Sequence, residues 1–218
     1  MSKVVIFGTG SFAEVAQFLL ERDSEHEVVA FTVHESYVTQ REIAGLPVVP
    51  FEQLADQFPP DAFAMLVAVG YKNVNQLRAS IYAEAKSKGY QLISYVSSRC
   101  TNWGQSIGDN CFIFEDNTIQ PFVTIGNNVT LWSGNHIGHD ATIEDHCFIT
   151  SHVVVSGYVR IGTRSFIGVN ATLRNSITIA PRTLIGAGAI IMKDTKPNEV
   201  YMPERAKLFA KSSDEIDL

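Results

Sequence analysis

The sequence is poor in the residues that mark several protein classes. It has three cysteines in 218 residues, an odd number and too few for a disulfide-stapled scaffold. A reducing, cytoplasmic setting is therefore expected. No run of about 18 apolar residues occurs, so no membrane insertion is expected. Basic residues are outnumbered, 17 Lys and Arg against 23 Asp and Glu for a net charge of −6. That argues against a nucleic-acid binder working through a basic surface. The opening Met1-Ser2-Lys3 leads at once into Val4-Val5-Ile6 and Gly8, too short an apolar stretch for a secretion signal. What is present, 45% apolar and 18% charged residues, is the balance of a globular protein of one or two domains.

The strongest pattern is a repeat. From Ile107 the chain divides without a gap into fifteen blocks of six, and every block opens with Ile, Leu or Val. Gly follows the opener at 108, 126, 138, 162, 168 and 186, and the fifth place is often small, as at Cys111, Ala141, Cys147, Ser165, Ala171 and Ala189. A parallel β-helix of triangular section accounts for this. One aliphatic side chain per short strand fills a narrow interior, and the fifth residue faces inward near a corner, where little volume is free. Gly is expected to supply the backbone angles of the turns. Three blocks make a coil, so the fifteen blocks over 107–196 predict five coils and a prism roughly 24 Å tall at about 4.8 Å per coil. An antiparallel sandwich would show turn signals at about 8–12 residues, drifting in phase. Residues 18 apart in such a prism stack. Cys111 and Cys147 lie 36 apart, two coils or about 9.6 Å, beyond disulfide reach; they read as small core residues.

The first hundred residues alternate strands and helices, which predicts a parallel sheet. Strands are expected at 4–7, 27–32, 46–49, 64–69 and 91–96, with helices from Ser11 to about Glu21 and over 73–89. Between the first strand and helix stands Gly8-Thr9-Gly10-Ser11-Phe12-Ala13, the G-x-G-x-x-A form of a phosphate-binding turn. Gly8 and Gly10 let a diphosphate approach the backbone, and a helix N-terminus favours its charge. A dinucleotide reading also wants an acid ending the second strand; here Thr32-Val33-His34 precedes Glu35, and the unit is short. A nucleotide-sugar diphosphate fits better than NAD.

Four of the six histidines, His136, His139, His146 and His152, fall within 17 residues. None occupies the first or fifth place of a block, so all should face solvent, a neighbouring subunit or a ligand. His139 has Asp140 beside it at a corner, and Gly157, 18 residues on, stacks over it. The missing side chain leaves room for a substrate and exposes a backbone N–H. These are the parts for acyl transfer: an imidazole takes a proton, a carboxylate fixes its tautomer, and an N–H steadies an oxyanion. With no G-x-S-x-G turn and both prism cysteines buried, direct attack on a thioester is expected rather than a covalent acyl-enzyme.

An α/β domain followed by hexads resembles the bacterial nucleotide-sugar acyltransferases of the sialic acid O-acetyltransferase, bacillosamine-pathway N-acetyltransferase and GDP-perosamine N-acetyltransferase type. The resemblance spans nearly the whole chain. It is carried by Ile6-Phe7-Gly8-Thr9-Gly10, Ile43-Ala44-Gly45-Leu46-Pro47-Val48, Gly138-His139-Asp140 and the hexads through Ile185-Gly186-Ala187-Gly188-Ala189. It implies a Rossmann-like nucleotide-sugar domain over 1–97, a connector over 98–106, a left-handed β-helix acyltransferase domain over 107–196 and a tail over 197–218. It implies acetyl-CoA as co-substrate, no metal, and a homotrimer with active sites between subunits. His139 becomes the base, Asp140 its partner and Gly157 the donor at the thioester carbonyl. Gly157, Val169, Ala187 and Gly188 are expected along the cofactor. Gly8, Gly10, Ser11, Thr32, Gly70 and Tyr71 are expected at the nucleotide, with Trp132, Asn135 and His136 on the sugar side.

The expected reaction is N-acetylation of a nucleotide-linked amino-deoxy sugar, of the 4-amino-4,6-dideoxy kind, for a bacterial surface glycan. Transfer to a sugar hydroxyl on the same fold is the alternative. Relatives with a second histidine nine residues after the base have Phe148 in its place here, and Met202-Pro203-Glu204-Arg205-Ala206-Lys207 replaces the family's terminal turn. A zinc hydratase on the same prism, similar to γ-class carbonic anhydrase, and a non-catalytic nucleotide-sugar sensor are the other readings. The zinc enzymes resemble His-x4-His, whereas the gaps from 139 to 146 and from 146 to 152 are seven and six.

Overall fold

The computed structural model describes residues 1–216; the last two residues of the expected tail lie outside them. The chain opens with β1 (Lys3–Phe7), α1 (Ser11–Asp23) and β2 (Glu27–Val33), followed by β3 (Glu42–Ile43), β4 (Leu46–Pro50), a short α2 (Leu54–Gln57), β5 (Ala64–Val67) and α3 (Gln76–Ser87). The sheet order is β3-β4-β2-β1-β5. All pairings are parallel except that of β3 with β4. Those two form a hairpin whose turn residues, Ala44 and Gly45, have φ of 47° and 80°, the two-residue turn that matches strand twist. Val4, Val5 and Ile6 are wholly buried, as the uninterrupted apolar run requires of a strand covered on both faces.

The second half is a left-handed parallel β-helix. Its two-residue strands stack into three flat faces of six, five and seven strands. The openers from Ile113 to Ile191 are all buried, and so is every fifth-place residue from Cys111 to Thr195. Partners lie 18 residues apart through the body, as Thr118 with His136 and His136 with Val154.

Three details differ from the sequence reading. The stack extends past the hexads: Tyr95–Val96 pairs with Phe112–Ile113, Thr101–Asn102 with Thr118–Ile119, and Val200–Tyr201 with Leu184–Ile185. The strand expected over 91–96 is therefore divided. Leu92 bridges to Met65 of the α/β sheet, whereas Tyr95–Val96 opens the prism.

The second difference concerns glycine. The left-handed backbone of each corner falls on the fourth residue of the block, such as Asn110, Phe122, Asp140 and Tyr158 with φ from 51° to 67°. The glycines in second place are needed for space: a Cβ at Gly138 would lie 2.5 Å from the Gly157 nitrogen in the next coil.

The third is the start of α3. The helix expected from residue 73 begins at Gln76, because Asn73, Val74 and Asn75 are all left-handed, with φ of 54°, 49° and 62°.

The α/β domain rests on the seven-stranded face. Phe112, Phe148 and Phe166 project from that face, where Phe12 and Tyr71 meet them with centroids 4.7–6.3 Å apart. At the corner between the five- and seven-stranded faces the contact is polar. Arg78 donates to the Asn128 carbonyl at 3.0 Å and to its side-chain oxygen at 2.8 Å. Asn75 donates to the carbonyls of Arg164 and Ser165 at 3.1 and 2.9 Å. Val67 N–H donates to Asn110 Oδ1 at 2.7 Å.

Candidate active site

The turn after β1 packs tightly. Gly8 has φ of 136°, and a Cβ there would lie 2.6 Å from the Ala68 carbonyl oxygen, so only Gly brings the chain this close to the end of β5. Gly10 is the N-cap of α1 and supplies no side-chain cap, leaving the first helical N–H groups open to a ligand. The turn opens on a cavity of about 740 Å³ between the α/β domain and the prism. Gly8, Gly10, Ser11, Gly70, Tyr71 and Trp132 all line it.

Thr32 and Asn135, expected at the substrate, are placed elsewhere. Thr32 is buried, its hydroxyl donating to the Val49 carbonyl at 2.8 Å and its carbonyl accepting from Gly8 N–H at 2.9 Å. It braces the turn from behind. Asn135 is 1% exposed inside the prism. Its N–H donates to Asn117 Oδ1 at 3.2 Å, and its own Oδ1 accepts from Val153 N–H at 2.8 Å. The place of Asn135 as fifth in its block already signalled an inward side chain.

The four clustered histidines separate around one coil. His136 stands half-buried on the six-stranded face. His139 lies at the corner leading to the five-stranded face, His146 at the next corner and His152 at the third. His146 is covered by α3: its Nδ1 is 2.9 Å from Asn128 Nδ2 and its ring 5.3 Å from that of Tyr82. Burial holds its pKa below the usual imidazole range. Among the described residues, no three His, Cys, Asp or Glu side chains gather as a metal-holding group within one chain.

His139 is the exposed one with a partner. Its Nδ1 lies 2.8 Å from Asp140 Oδ2. The carboxylate only accepts, so Nδ1 carries the proton and Nε2 keeps its lone pair. The backbone N–H of His139 donates to Gln120 Oε1 at 2.9 Å, and the ring meets Tyr158 edge-on at 5.0 Å. Nε2 faces Gly157: a Cβ there would lie 2.9 Å from it. The Gly157 N–H makes no hydrogen bond to any described residue. A base with its orienting carboxylate thus stands beside a glycine whose N–H is free, the groups needed to deprotonate a nucleophile and hold an oxyanion.

The expected cofactor residues split. Gly157 is at the His139 corner. Val169, Ala187 and Gly188 are at the corner between the seven- and six-stranded faces, where Gly188 N–H donates to the Val169 carbonyl at 2.7 Å. Trp132 and the cavity lie at that same corner, and His139 does not line the cavity. The two halves of the expected site therefore stand at opposite edges of the six-stranded face.

Comparison with known proteins agrees with this architecture. Residues 106–138 and 122–157 match the family model described as bacterial transferase hexapeptide (six repeats), and 158–193 that of the hexapeptide repeat of succinyl-transferase. These stretches of the chain carry the hexapeptide repeats that the two models describe.

A His→Asn mutant of perosamine N-acetyltransferase from Caulobacter crescentus, in complex with CoA and GDP-perosamine, shares the fold with a TM-score of 0.82. It is 23% identical over 92% of this chain and 93% of that one. The acetyltransferase domain of PglB from Neisseria gonorrhoeae superposes with a TM-score of 0.79 at 24% identity, over 92% and 96%. WeeI from Acinetobacter baumannii does so with 0.78 at 16% identity, again over 92% and 96%. The chain thus shares the fold of these acetyltransferases over nearly its whole length. An acyl-[acyl-carrier-protein]–UDP-N-acetylglucosamine O-acyltransferase from Burkholderia lata is 26% identical over 84 residues, 38% of this chain. The matched part is about a third of that relative's length, 32%.

Proposed function

We propose that the protein is an acetyl-CoA-dependent N-acetyltransferase acting on a nucleotide-linked amino-deoxy sugar, in the making of a bacterial surface glycan. The observation that carries this is the His139–Asp140–Gly157 constellation, with Nδ1 held at 2.8 Å by the carboxylate and Nε2 facing an unfilled glycine. The nucleotide belongs in the cavity at Gly8 and Gly10, between the α/β domain and the prism. Acyl transfer belongs to the prism, whose hexads run over 107–196. His139 Nε2 takes a proton from the sugar amine as its lone pair attacks the thioester carbonyl carbon. The Gly157 N–H holds the oxyanion, and the carbon–sulfur bond then breaks to release the thiolate of CoA.

The separation of His139 from the cavity in one chain supports a homotrimer with shared sites. His139 of one chain would face the nucleotide cavity of its neighbour, with the pantetheine arm running between prisms past Val169, Ala187 and Gly188. The exposed Phe122 and Tyr158 at the His139 corner, and Val154 and Ile190 on the six-stranded face, supply apolar surface for such packing. The compartment we assign is the cytoplasm.

Turnover of 4-amino-4,6-dideoxy sugars linked to UDP, GDP and dTDP, beside their hydroxyl counterparts, tests the reading. The amino sugar of one nucleotide is expected to be acetylated, and His139→Asn to cut kcat by about 10² to 10⁴ while keeping binding. Turnover of the hydroxyl sugar alone would make it an O-acetyltransferase. No loss in the variant would remove His139 from the chemistry.

A further inference from the structure

We propose that Lys72 is the side chain that binds the diphosphate, which deepens the nucleotide-sugar reading and rests on it. The first observation is one of charge. The chain carries 23 acidic residues, yet no Asp or Glu is among the residues lining the 740 Å³ cavity. Lys72 is the one permanently charged side chain on that wall, and no carboxylate pairs with it among the described residues. His34 also lines the cavity, but its two ring nitrogens are taken by Glu52 at 3.0 Å and Glu84 at 3.4 Å.

The second observation lies behind the wall. The Arg78 guanidinium is 1% exposed. It donates only to carbonyl oxygens, Val69 at 2.8 Å and the two Asn128 oxygens, and its Nε has no partner. Burial lowers its pKa to about 10, which leaves it charged at neutral pH. Buried charges are ordinarily paired, because desolvation is expensive, and among the described residues no carboxylate pairs with this one. Val69 and Phe148, the residues it touches by hydrogen bond and across the ring face at 5.7 Å, both line the cavity. A dianionic ligand there would supply the missing counter-charge.

The third observation is how Lys72 is held. It precedes the three left-handed residues Asn73, Val74 and Asn75. Left-handed φ is ordinary for Asn but an outlier for β-branched Val, and such strain persists only where surroundings over-determine it. Here the foot of the turn is bolted to the prism by Asn75, through the Arg164 and Ser165 carbonyls. The turn thus holds the backbone of Lys72 on the wall of the same cavity that the open N-terminus of α1 lines, so that a diphosphate there meets positive charge from both.

Calorimetric titration of the full-length protein with GDP, UDP and dTDP tests this, using wild type, Lys72→Met and Lys72→Arg. At least one diphosphate is expected to bind wild type. Lys72→Met should weaken it by about 10-fold or more, in line with loss of a charge-assisted hydrogen bond, with a shallower salt dependence. Lys72→Arg should restore most of the affinity. KM for the nucleotide sugar should rise in Lys72→Met at unchanged kcat. Equal affinity in wild type and Lys72→Met would overturn the assignment while leaving the nucleotide reading standing. Equal weakening by Met and Arg would overturn it too, pointing to shape rather than charge. Failure of wild type to bind any of the three would remove the reading and the assignment together.

Discussion

The imidazole of His139 and the α-carbon of Gly157 are in near contact across one coil step: a single carbon added at 157 would lie 2.9 Å from Nε2 and 3.1 Å from Cε1. Asn175 closes the other side, its Oδ1 at 3.2 Å from the same point. The added methyl has nowhere to go except against the ring. Gly157→Ala should therefore fold normally by circular dichroism yet lose about 10- to 100-fold in kcat, the order expected when a reacting group is displaced by about 1 Å. Retention of full turnover would separate His139 from the reaction.

The placement of His139 and the cavity at opposite edges of one face makes complementation decisive. Gly10 has extended backbone and open space where a side chain would begin, so Gly10→Trp should fill the cavity without strain. Neither Gly10→Trp nor His139→Asn alone should turn over. Co-expressed at equal amounts, they should recover about a quarter of wild-type activity, since in a cyclic trimer about one interface in four pairs the two intact halves. No recovery in a stable mixed trimer would place each site within one chain.

A third expectation concerns the thiols. Burial raises Cys111 to about 11 and Cys147 to about 12, and both are 0% exposed. Neither offers a thiolate at neutral pH. Native protein at pH 8 should resist alkylation at both positions, and Cys111→Ala with Cys147→Ala should keep kcat within about 3-fold, at the stability loss usual for small core truncations. Trapping of an acetylated cysteine during turnover would replace direct attack with a covalent route.

Acid should loosen the molecule in two stages. His146 is held below its ordinary pKa by burial, so the unfolded chain takes up its proton first. The stability it contributes is lost as pH falls from about 6.5. Asp23 is held at about 2 by hydrogen bonds from Ser98 first and then Tyr95; its contribution is full above about 4 and lost as pH falls towards 2. Melting temperatures between pH 5 and 8 should drop on acidification in wild type and less so in His146→Gln. His26, also lowered by burial, keeps some slope in the variant. Identical slopes would take His146 out of the domain junction's pH response.

Much of the prism was legible because its physics is local. A narrow interior admits one aliphatic residue per strand and one small residue per corner, and both appear at fixed spacing from Ile113 to Ile191. The first coil was hidden. Asn102 stands where an aliphatic opener should be, and the step to Ile107 is five residues instead of six. The α/β core was readable from its apolar runs, whereas its mating to the seven-stranded face was not. That surface is made by Phe112, Phe148 and Phe166 in the sixth place of their blocks, an outward position whose partner no local pattern names. Proximity in sequence also misled. Four histidines within 17 residues read as a cluster, but a coil of 18 carries them round the whole perimeter. Stacking at 18, by contrast, correctly paired His139 with Gly157.

The hydrogen-bonded columns of the prism give the molecule a fixed unit of length change. Removing or duplicating 18 residues in mid-stack leaves each vertical file of side chains aligned, merely shortening or lengthening the column. Loss of a single residue there would rotate all later files onto the wrong wall, turning aliphatics outward and charges inward. The chain absorbs such slips at the two ends of the stack, near Val96–Thr101, where partners are 17 apart, and at Val200, which pairs with Leu184 16 residues back. Gain and loss of whole turns is the size variation this architecture tolerates, and each added turn would move the ends apart without disturbing the corner that holds His139.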